Sequence, residues 1–234
     1  MPQVGTSDGS AVPGVIPSVP AMNPPLLLSD PRVAAVPVVE TGEPLVELCP
    51  GIAPGGARVR SGLADRLYTA DLGLPAGIRL RVVEGHRSPA DQQRIIDRYT
   101  HEVRSTYADA SDAEIRLLVS RFVAPLEVAP HVAGAAVDLT LVDADGVPLD
   151  LGTAIDATPE RSRGRCYFAS PDVGLEARAL RLLLADALTR VGLVNYPTEW
   201  WHWSHGDRYW ALMTGAARAP YGPVEAAVPV GGVR

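Results

Sequence analysis

Cysteine is scarce in this sequence of 234 residues, which contains only Cys49 and Cys166. Two cysteines so far apart form no disulfide framework, and a chain of this length buries a full core without one. A single disulfide between them is left open, but the sequence favours two reduced thiols of a cytosolic protein. The class of small disulfide-rich secreted domains is therefore excluded.

The sequence also lacks clusters of basic residues and long apolar runs. The net charge is −6 and the pI about 5.4, and no run of Lys or Arg occurs, which disfavours a nucleic-acid partner. No apolar run approaches the ~20 residues of a membrane span. No Lys or Arg precedes Arg32, so a secretory signal would lack its basic segment. We therefore predict a cytoplasmic protein without a membrane partner, and homo-oligomerisation is left open.

Proline, glycine and serine dominate the start of the chain. Residues 1–25 have no apolar periodicity, which is typical of a flexible segment that builds no core. We predict a Pro-rich extended leader over residues 1–30 and a single domain over residues 31–234. Residues 33–48 are β-branched but interrupted by prolines, which indicates an extended arm or an edge strand.

The remaining segments mix helical and strand periodicities. Helices are predicted over 57–77, from Pro89 with Ser88 as N-cap, over 112–124 and over 174–193. Strands are predicted over 78–83, at the start of 135–152 with a turn at Asp145–Gly146 and a short return strand, and in 198–212. This order predicts the α+β class, with a central, mainly antiparallel sheet flanked by helices.

One polar pair stands in the segment PHVAGAAVDLTL. His131 lies in a turn, and Asp138 lies seven residues later inside an apolar strand. A buried lone aspartate is costly unless it is paired or bound to a metal. Taken alone, the segment fits a structural carboxylate held by backbone amides equally well.

A second polar group stands in TEWWHWSHGDRYWAL, residues 198–212, which also holds all four tryptophans. Glu199 and His202 form E-x-x-H, a spacing that shares a face on a helix but not on a straight strand. The strand must therefore bend, or Glu199 must stand at its start. An aromatic core strand with a polar edge is the alternative. We interpret His205 as an exposed histidine, with a residue that supports or borders a metal site as the alternative. We interpret Asp207 and Arg208 as a structural pair.

Together, two histidines and one aspartate make the usual protein ligand set of a catalytic Zn²⁺ with an open position. Glu199 is then a candidate general base for a metal-bound water. We predict that Trp200, Trp201 and Trp203 form a dry wall that strengthens charge interactions at this site.

Several motifs resemble those of the D-alanyl-D-alanine dipeptidases, the VanX-type branch of the zinc peptidases. In family order over residues 78–212, they are VVEGHRSPADQQ, PHVAGAAVDLTL, LDLGTAIDATPERS and TEWWHWSHGDRYWAL. Looser similarity extends from about residue 31 to 223 and includes ARAPYGPV. The resemblance implies a zinc-dependent dipeptidase that hydrolyses a small D,D-dipeptide such as D-Ala-D-Ala.

The resemblance also implies residue roles. One Zn²⁺ per chain would be held by His131, Asp138 and His202. Glu199 would take a proton from zinc-bound water and pass it to the leaving amine. Arg87 would stabilise the oxyanion, although a surface arginine at a helix start is its plainer interpretation. Asp156 would bind the substrate's ammonium group, and Trp201 would join Arg87 and Asp156 as a substrate contact.

The chain departs from the family pattern beside the first ligand. Ala129 replaces a serine, Val132 and Ala133 replace S-R, and His86 replaces a tyrosine. These changes spare the ligands and the base but affect the substrate pocket. A related D,D-carboxypeptidase, another small amidase and a non-catalytic zinc-fold binding domain are the alternatives. A dipeptidase would serve glycopeptide resistance or the turnover of cell-wall (peptidoglycan) fragments.

Overall fold

The computed structural model describes residues 25–224. Most of the predicted leader, residues 1–24, therefore lies outside the described residues. Within the described part, Leu28 is buried in an apolar cluster with Val33 and Tyr196. Packed chain is thus present on the N-terminal side of residue 31.

Two antiparallel sheets organise the described chain. The strands are β1 (Leu45–Glu47), β2 (Arg58–Arg60), β3 (Arg79–Glu84), β4 (Ala136–Val142), β5 (Val194–Asn195) and β6 (His202–Ser204). Strands β1 and β2 pair with each other, and the main sheet has the order β3-β4-β6-β5. All seven residues of β4 are buried, which makes it the centre of the molecule.

Helices cover the main sheet and connect its strands. They are α1 (Pro31–Ala35), α2 (Ser61–Leu72), α3 (Pro89–Thr106), α4 (Asp112–Val119), α5 (Pro159–Ser162), α6 (Leu175–Arg190) and α7 (Arg208–Thr214). Apolar residues of α2 and α6, such as Leu67 and Leu184, share one core with Leu139 and Leu141 of β4. The predicted α+β class with a central antiparallel sheet is confirmed.

Local sequence signals explain where the helices begin. The hydroxyl of Ser88 accepts from the backbone N–H of Asp91 at 3.1 Å, so the predicted N-cap of α3 is confirmed. Asp207 caps α7 by accepting from the N–H groups of Tyr209 and Trp210. Because Asp207 is used as this cap, the predicted pair with Arg208 is wrong. Arg208 instead donates to backbone carbonyls on and beside α1.

Three predicted elements differ from the structure. Residues 57–77 begin with strand β2, because Arg58–Arg60 pairs with Leu45–Glu47, and the helix starts only at Ser61. The arm at 33–48 includes the end of helix α1, which Asp30 caps. The last strand occupies only His202–Ser204 of residues 198–212, because the Asp207 cap starts α7 soon afterwards.

Both cysteines are free, with Cys49 exposed and Cys166 buried. Across residues 25–224, no helix combines the length and apolar character needed to span a membrane.

His205 is buried, so its interpretation as an exposed histidine is wrong. Its ring centroid lies 4.6 Å from that of Trp210, and its Nδ1 atom has no hydrogen-bond partner among the described residues. Burial, with a smaller contribution from the charge of Arg66, lowers the pKa of His205 to about 4. The imidazole is therefore neutral in the folded protein at neutral pH.

We expect the contribution of His205 to the free energy of unfolding to fall as the pH drops from about 6.5 to 4. In this window the unfolded chain binds a proton at residue 205 and the folded chain does not, which costs ~1–3 kcal/mol. Urea unfolding of the apo-protein at pH 7 and pH 4.5 measures the loss. The variant His205→Phe should lose less stability than the wild type between these pH values. An equal loss in both proteins would contradict the assignment.

Candidate metal and catalytic site

Strand pairing brings the predicted ligands together. Strands β4 and β6 run antiparallel, and their register places Asp138 opposite His202. His131 stands in the turn before β4, where its Nδ1 atom donates to the carbonyl of Gly85 at 2.8 Å. That bond orients the imidazole and leaves Nε2 free to act as a ligand.

The three side chains form a buried cluster. His131 Nε2 lies 3.1 Å from His202 Nδ1 and 3.4 Å from Asp138 Oδ1, and the distance from His202 Nδ1 to Asp138 Oδ1 is 3.1 Å. Tetrahedral Zn²⁺, bound at 2.0–2.1 Å, separates its ligand atoms by about 3.3 Å. The three donors therefore have the chemistry and the spacing of a zinc site with one open position.

Burial and close neighbours set the charges of this cluster. Burial opposes ionisation of Asp138, but the imidazoles of His131 and His202 outweigh it and hold the pKa of Asp138 far below its usual range. Burial, together with repulsion from Asp138 and Asp156, raises the pKa of the neighbouring Glu199 well above its usual range. The site thus contains one strongly anionic carboxylate and one with high proton affinity.

Glu199 stands in the turn between β5 and β6. The N–H of His202 donates to the carbonyl of Glu199 at 3.2 Å. The side-chain amide of Asn195 donates to the carbonyls of Glu199 and His202. The turn places Glu199 Oε2 3.8 Å from His202 Nδ1. Of the two geometries that the E-x-x-H spacing left open, Glu199 ahead of the strand is the one observed.

Arg87 is held firmly in the loop after β3. Its Nε atom donates to Glu84 Oε1 and its Nη1 atom to Gln92 Oε1, both at 2.8 Å, and its backbone N–H donates to the carbonyl of His131. The side chain is only 14% exposed, so the plain surface arginine is excluded.

Sequence reasoning missed Glu84 and Gln92 as residues of the site. Glu84 lies opposite Asp138 because the register between β3 and β4 shifts by one residue after Val82. Such a bulge re-aims a side chain, and a six-residue strand gives no sign of it in the sequence. Gln92 has the spacing of a core residue on α3, so the sequence does not mark it as part of the site. Its side-chain amide is buried and also donates to the carbonyl of Ala124.

A cleft of about 480 Å³ opens above the cluster. His131, His202 and Glu199 lie at its buried end, and Arg87 and Asp156 stand on its walls. The structure thus brings all the predicted catalytic and ligand residues, together with Asp156, to one place. Asp138 lies beneath the cleft as the third member of the cluster.

The tryptophans do not line this cleft, and the predicted aromatic wall is wrong. Trp200, Trp201 and Trp203 are buried in the main hydrophobic core. On β6, successive side chains point to opposite faces, so Trp203 is directed away from the site of His202, whereas Trp200 and Trp201 lie in the turn before the strand and pack into the core. Trp201 is therefore placed as a core residue rather than as a substrate contact.

Both ends of the described chain hold the loop that carries His131. Arg60, buried on β2, donates from Nε to the carbonyl of Ala133 at 2.9 Å, and its backbone N–H donates to the carbonyl of Gly134 at 2.8 Å. Its other nitrogens bind the carboxylate of Glu40 and the carbonyls of Glu43 and Gly222.

The C-terminal segment bonds to the same loop directly. The N–H of Val224 donates to the carbonyl of Val132 at 3.0 Å, and the ring of His86 donates to the carbonyl of Val224 at 2.8 Å. The loop is thereby fixed from outside the cleft, on the side away from the substrate space.

A buried cluster of two histidines and one aspartate, next to a further carboxyl group, defines the class of metal-dependent hydrolases. The family model described as D-ala-D-ala dipeptidase matches residues 97–216, which are 120 of the 234 residues. The chain belongs to this peptidase family.

Curated relatives agree with the family. A D-alanyl-D-alanine dipeptidase of Synechocystis is 37% identical over 94 residues, covering 37% of this chain and 38% of that protein. Another, of Escherichia coli, is 42% identical over 72 residues, covering 31% and 35%. The matched segments thus span little more than a third of either relative.

Solved structures show weaker likeness. A variant of the vancomycin-resistance D,D-pentapeptidase VanY in complex with Zn(II) has a TM-score of 0.44 at 18% identity, covering 74% of this chain and 87% of that one. VanYB in complex with D-alanine-D-alanine has a TM-score of 0.38 at 19% identity, covering 80% and 94%.

Proposed function

We propose that this protein hydrolyses a small D,D-dipeptide such as D-Ala-D-Ala to free amino acids, with one zinc ion bound per chain. The observation that carries the proposal is the buried cluster of His131, Asp138 and His202 with Glu199 beside it, at the end of a cleft. Membership of the D-ala-D-ala dipeptidase family supports the substrate class.

Zinc is supported by the donor chemistry, since two imidazoles and one carboxylate suit this metal. His131, Asp138 and His202 would hold it. When bound, it would supply the Lewis acidity that polarises the scissile carbonyl group and makes a water molecule more acidic.

Glu199 would move the proton of the reaction. Its carboxylate would accept a proton from the attacking water and deliver it to the amine nitrogen as the C–N bond breaks. Its position beside the metal-ligand cluster, with Oε2 3.8 Å from Nδ1 of His202, would let it hold that proton between the two transfers.

Arg87 would stabilise the negative charge that develops on the carbonyl oxygen. A guanidinium keeps its charge in a partly buried site and presents a rigid set of donors. Its contacts with Glu84 and Gln92 fix it in advance, which avoids reorganisation during the reaction.

Asp156 would bind the free ammonium group of the substrate. It lies on the cleft wall in a left-handed backbone conformation, with φ at 62°. A carboxylate there would favour substrates with a free amino end and thus limit cleavage to dipeptides.

Hydrolysis by the zinc-loaded protein tests the proposal. We expect release of alanine from D-Ala-D-Ala, and little from L-Ala-L-Ala or N-acetyl-D-Ala-D-Ala. The variant Asp156→Asn should raise KM for D-Ala-D-Ala about 10- to 100-fold, because it removes a charge-assisted contact. No turnover of D-Ala-D-Ala despite one bound zinc per chain would refute the proposed substrate.

The related D,D-carboxypeptidase gives the opposite pattern, with N-acetyl-D-Ala-D-Ala cleaved at least as well as the free dipeptide. A non-catalytic binding domain would cleave neither. For the dipeptidase, the biological role would be the destruction of a cell-wall precursor, in glycopeptide resistance or in wall turnover. The single domain over 31–234 and the cytoplasmic location stay predictions.

A further inference from the structure

The loop that carries Asp156 lines the active cleft and leads into helix α5. Burial, followed by repulsion from Asp138 and Glu84, raises the pKa of Asp156, so its carboxylate lies within electrostatic range of the metal-ligand cluster. Its backbone has φ at 62°, in the left-handed region that residues other than glycine rarely adopt. Such a conformation persists only where the surrounding structure fixes it. The contacts on either side of Asp156 therefore determine where its carboxylate lies.

One end of this loop is bound to the turn that holds Glu199. The hydroxyl of Thr153 accepts a hydrogen bond from Trp200 Nε1 at 2.8 Å. Trp200 directly follows Glu199, and its backbone N–H donates to the carbonyl of Cys166 at 3.0 Å. The start of the loop is thereby fixed relative to Glu199.

The other end of the loop is bound to helix α3. Thr158 caps α5, because its hydroxyl accepts from the backbone N–H of Arg161 at 3.2 Å. Two residues after Thr158, Glu160 Oε2 accepts from the hydroxyl of Tyr99 on α3 at 2.8 Å. Because α5 is only 4 residues long, a contact at Glu160 also fixes the start of the helix, directly after the loop of Asp156.

The contact between Tyr99 and Glu160 is shielded from water. Tyr99 is buried, and its ring centroid lies 4.9 Å from that of Phe122, which lines the same cleft. Within residues 25–224 the carboxylate of Glu160 accepts one hydrogen bond, from Tyr99, and its other oxygen lies 3.7 Å from Arg121 Nη1. A hydrogen bond from a hydroxyl to a shielded carboxylate is stronger than one in water. The hydroxyl of Tyr99 therefore attaches α5 firmly to α3.

We infer that Tyr99 is a positioning residue, which through Glu160 fixes the distance between Asp156 and the metal-ligand cluster. The inference rests on the proposed function, in which Asp156 binds the ammonium group of the dipeptide. In that substrate the ammonium group and the scissile carbonyl group belong to the same residue. The two places that receive these groups must therefore keep one spacing.

Small shifts of Asp156 would be costly for this reason. A displacement of about 1 Å at a catalytic site can lower a rate by ~100-fold, even when its cause lies far from the reacting atoms. Tyr99 lines the cleft, but its hydroxyl is engaged by Glu160. Its effect on the substrate thus passes through α5 and the loop of Asp156.

The test is a double-mutant cycle between residues 99 and 156. Tyr99→Phe removes the hydroxyl and keeps the ring, and it should raise KM for D-Ala-D-Ala about 10-fold with kcat within a factor of about three. In the Asp156→Asn background the same substitution should change KM by less than about twofold, because the carboxylate that it positions is gone. Tyr68→Phe is the matched control, since it removes a hydroxyl that accepts from the N–H of Cys49 away from the cleft. It should leave KM unchanged in both backgrounds.

The cycle distinguishes positioning from a general structural role. An equal rise of KM in both backgrounds, or no rise in Tyr99→Phe alone, would overturn the inference. Glu160→Leu should reproduce the KM of Tyr99→Phe, whereas Glu160→Gln, which keeps an acceptor for the hydroxyl, should stay within a factor of about three of the wild type. An unchanged KM in Glu160→Leu would show that Tyr99 does not act through residue 160.

Hydrogen exchange and binding separate this inference from the proposed function, because neither needs turnover. In the zinc-loaded protein, the backbone amides of residues 153–158 should exchange about 10-fold faster in Tyr99→Phe than in the wild type, and no faster in Tyr68→Phe. Calorimetry with the zinc-loaded Glu199→Gln variant then measures whether Tyr99→Phe weakens binding of D-Ala-D-Ala. Faster exchange with weaker binding supports the inference even if the wild type does not hydrolyse the dipeptide. Unchanged exchange, unchanged affinity or no binding of D-Ala-D-Ala would overturn it.

Discussion

Glu199→Gln is expected to lower kcat for D-Ala-D-Ala by about 10³-fold, with zinc binding unchanged. The amide has the shape of the carboxyl group but cannot accept the proton of the attacking water. Glu199 Oε2 lies 3.8 Å from Nδ1 of His202, but Glu199 does not belong to the metal-ligand cluster of His131, Asp138 and His202. Steady-state kinetics and the zinc content of the purified variant measure the two effects separately.

His202→Gln is the matched control, because it removes a ligand from the same segment and should cost both zinc and activity. A Glu199→Gln variant that keeps more than about a tenth of the wild-type kcat would show that another group is the base. The other carboxyl groups on the cleft, those of Glu84, Glu102 and Asp156, would then be examined.

Arg60→Met is expected to lower the free energy of unfolding by about 3–5 kcal/mol, because it leaves buried partners without their donor. The lost contacts include the carbonyls of Ala133 and Gly222 and the carboxylate of Glu40. Because the loop of His131 loses its outer support, the zinc dissociation constant should also rise about 10-fold or more. Urea unfolding of the apo-protein and competition with a chelator measure these effects.

Arg58→Met on the same strand is the control, since within residues 25–224 the side chain of Arg58 makes one long hydrogen bond, to the carbonyl of Leu45. Arg60→Lys should recover part of the zinc affinity, because it restores the charge beside Glu40. If the Arg60→Met variant does not fold, the milder variant Glu40→Gln, which weakens the contact between Arg60 and residue 40, replaces it in the same measurements. Equal zinc affinity in Arg58→Met and Arg60→Met would show that Arg60 does not position the ligand loop.

Much of the metal cluster could be predicted from the sequence, because residue types and short spacings between residues indicate its chemistry. An aspartate inside an apolar strand, as at Asp138, has few stable explanations. The E-x-x-H spacing of Glu199 and His202 narrowed the local backbone to two geometries, one of which the structure has. The motif order then brought His131 and Arg87 to the same site.

The wrong predictions for Trp201 and His205, and the failure to predict Glu84, have a different physical origin, because they depend on contacts between segments that are distant in the sequence. Whether Trp201 faces the cleft depends on how the turn before β6 packs against the core, and the aromatic composition does not reveal this. The burial of His205 depends on Trp210 and Tyr221 folding over it. The bulge that brings Glu84 to the site is a register effect between two strands.

The bonds that hold the ligand loop also set the order in which the site is completed during synthesis. His131 leaves the ribosome well before Gly222 and Val224, whose backbone groups hold Arg60 and the loop itself. Strands β3 and β4 can pair before then, because both precede the final segment. The hydrogen bonds of Gly222 and Val224 to Arg60 and Val132 therefore cannot form until residues 222–224 have been synthesised, long after β3 and β4 are available to pair.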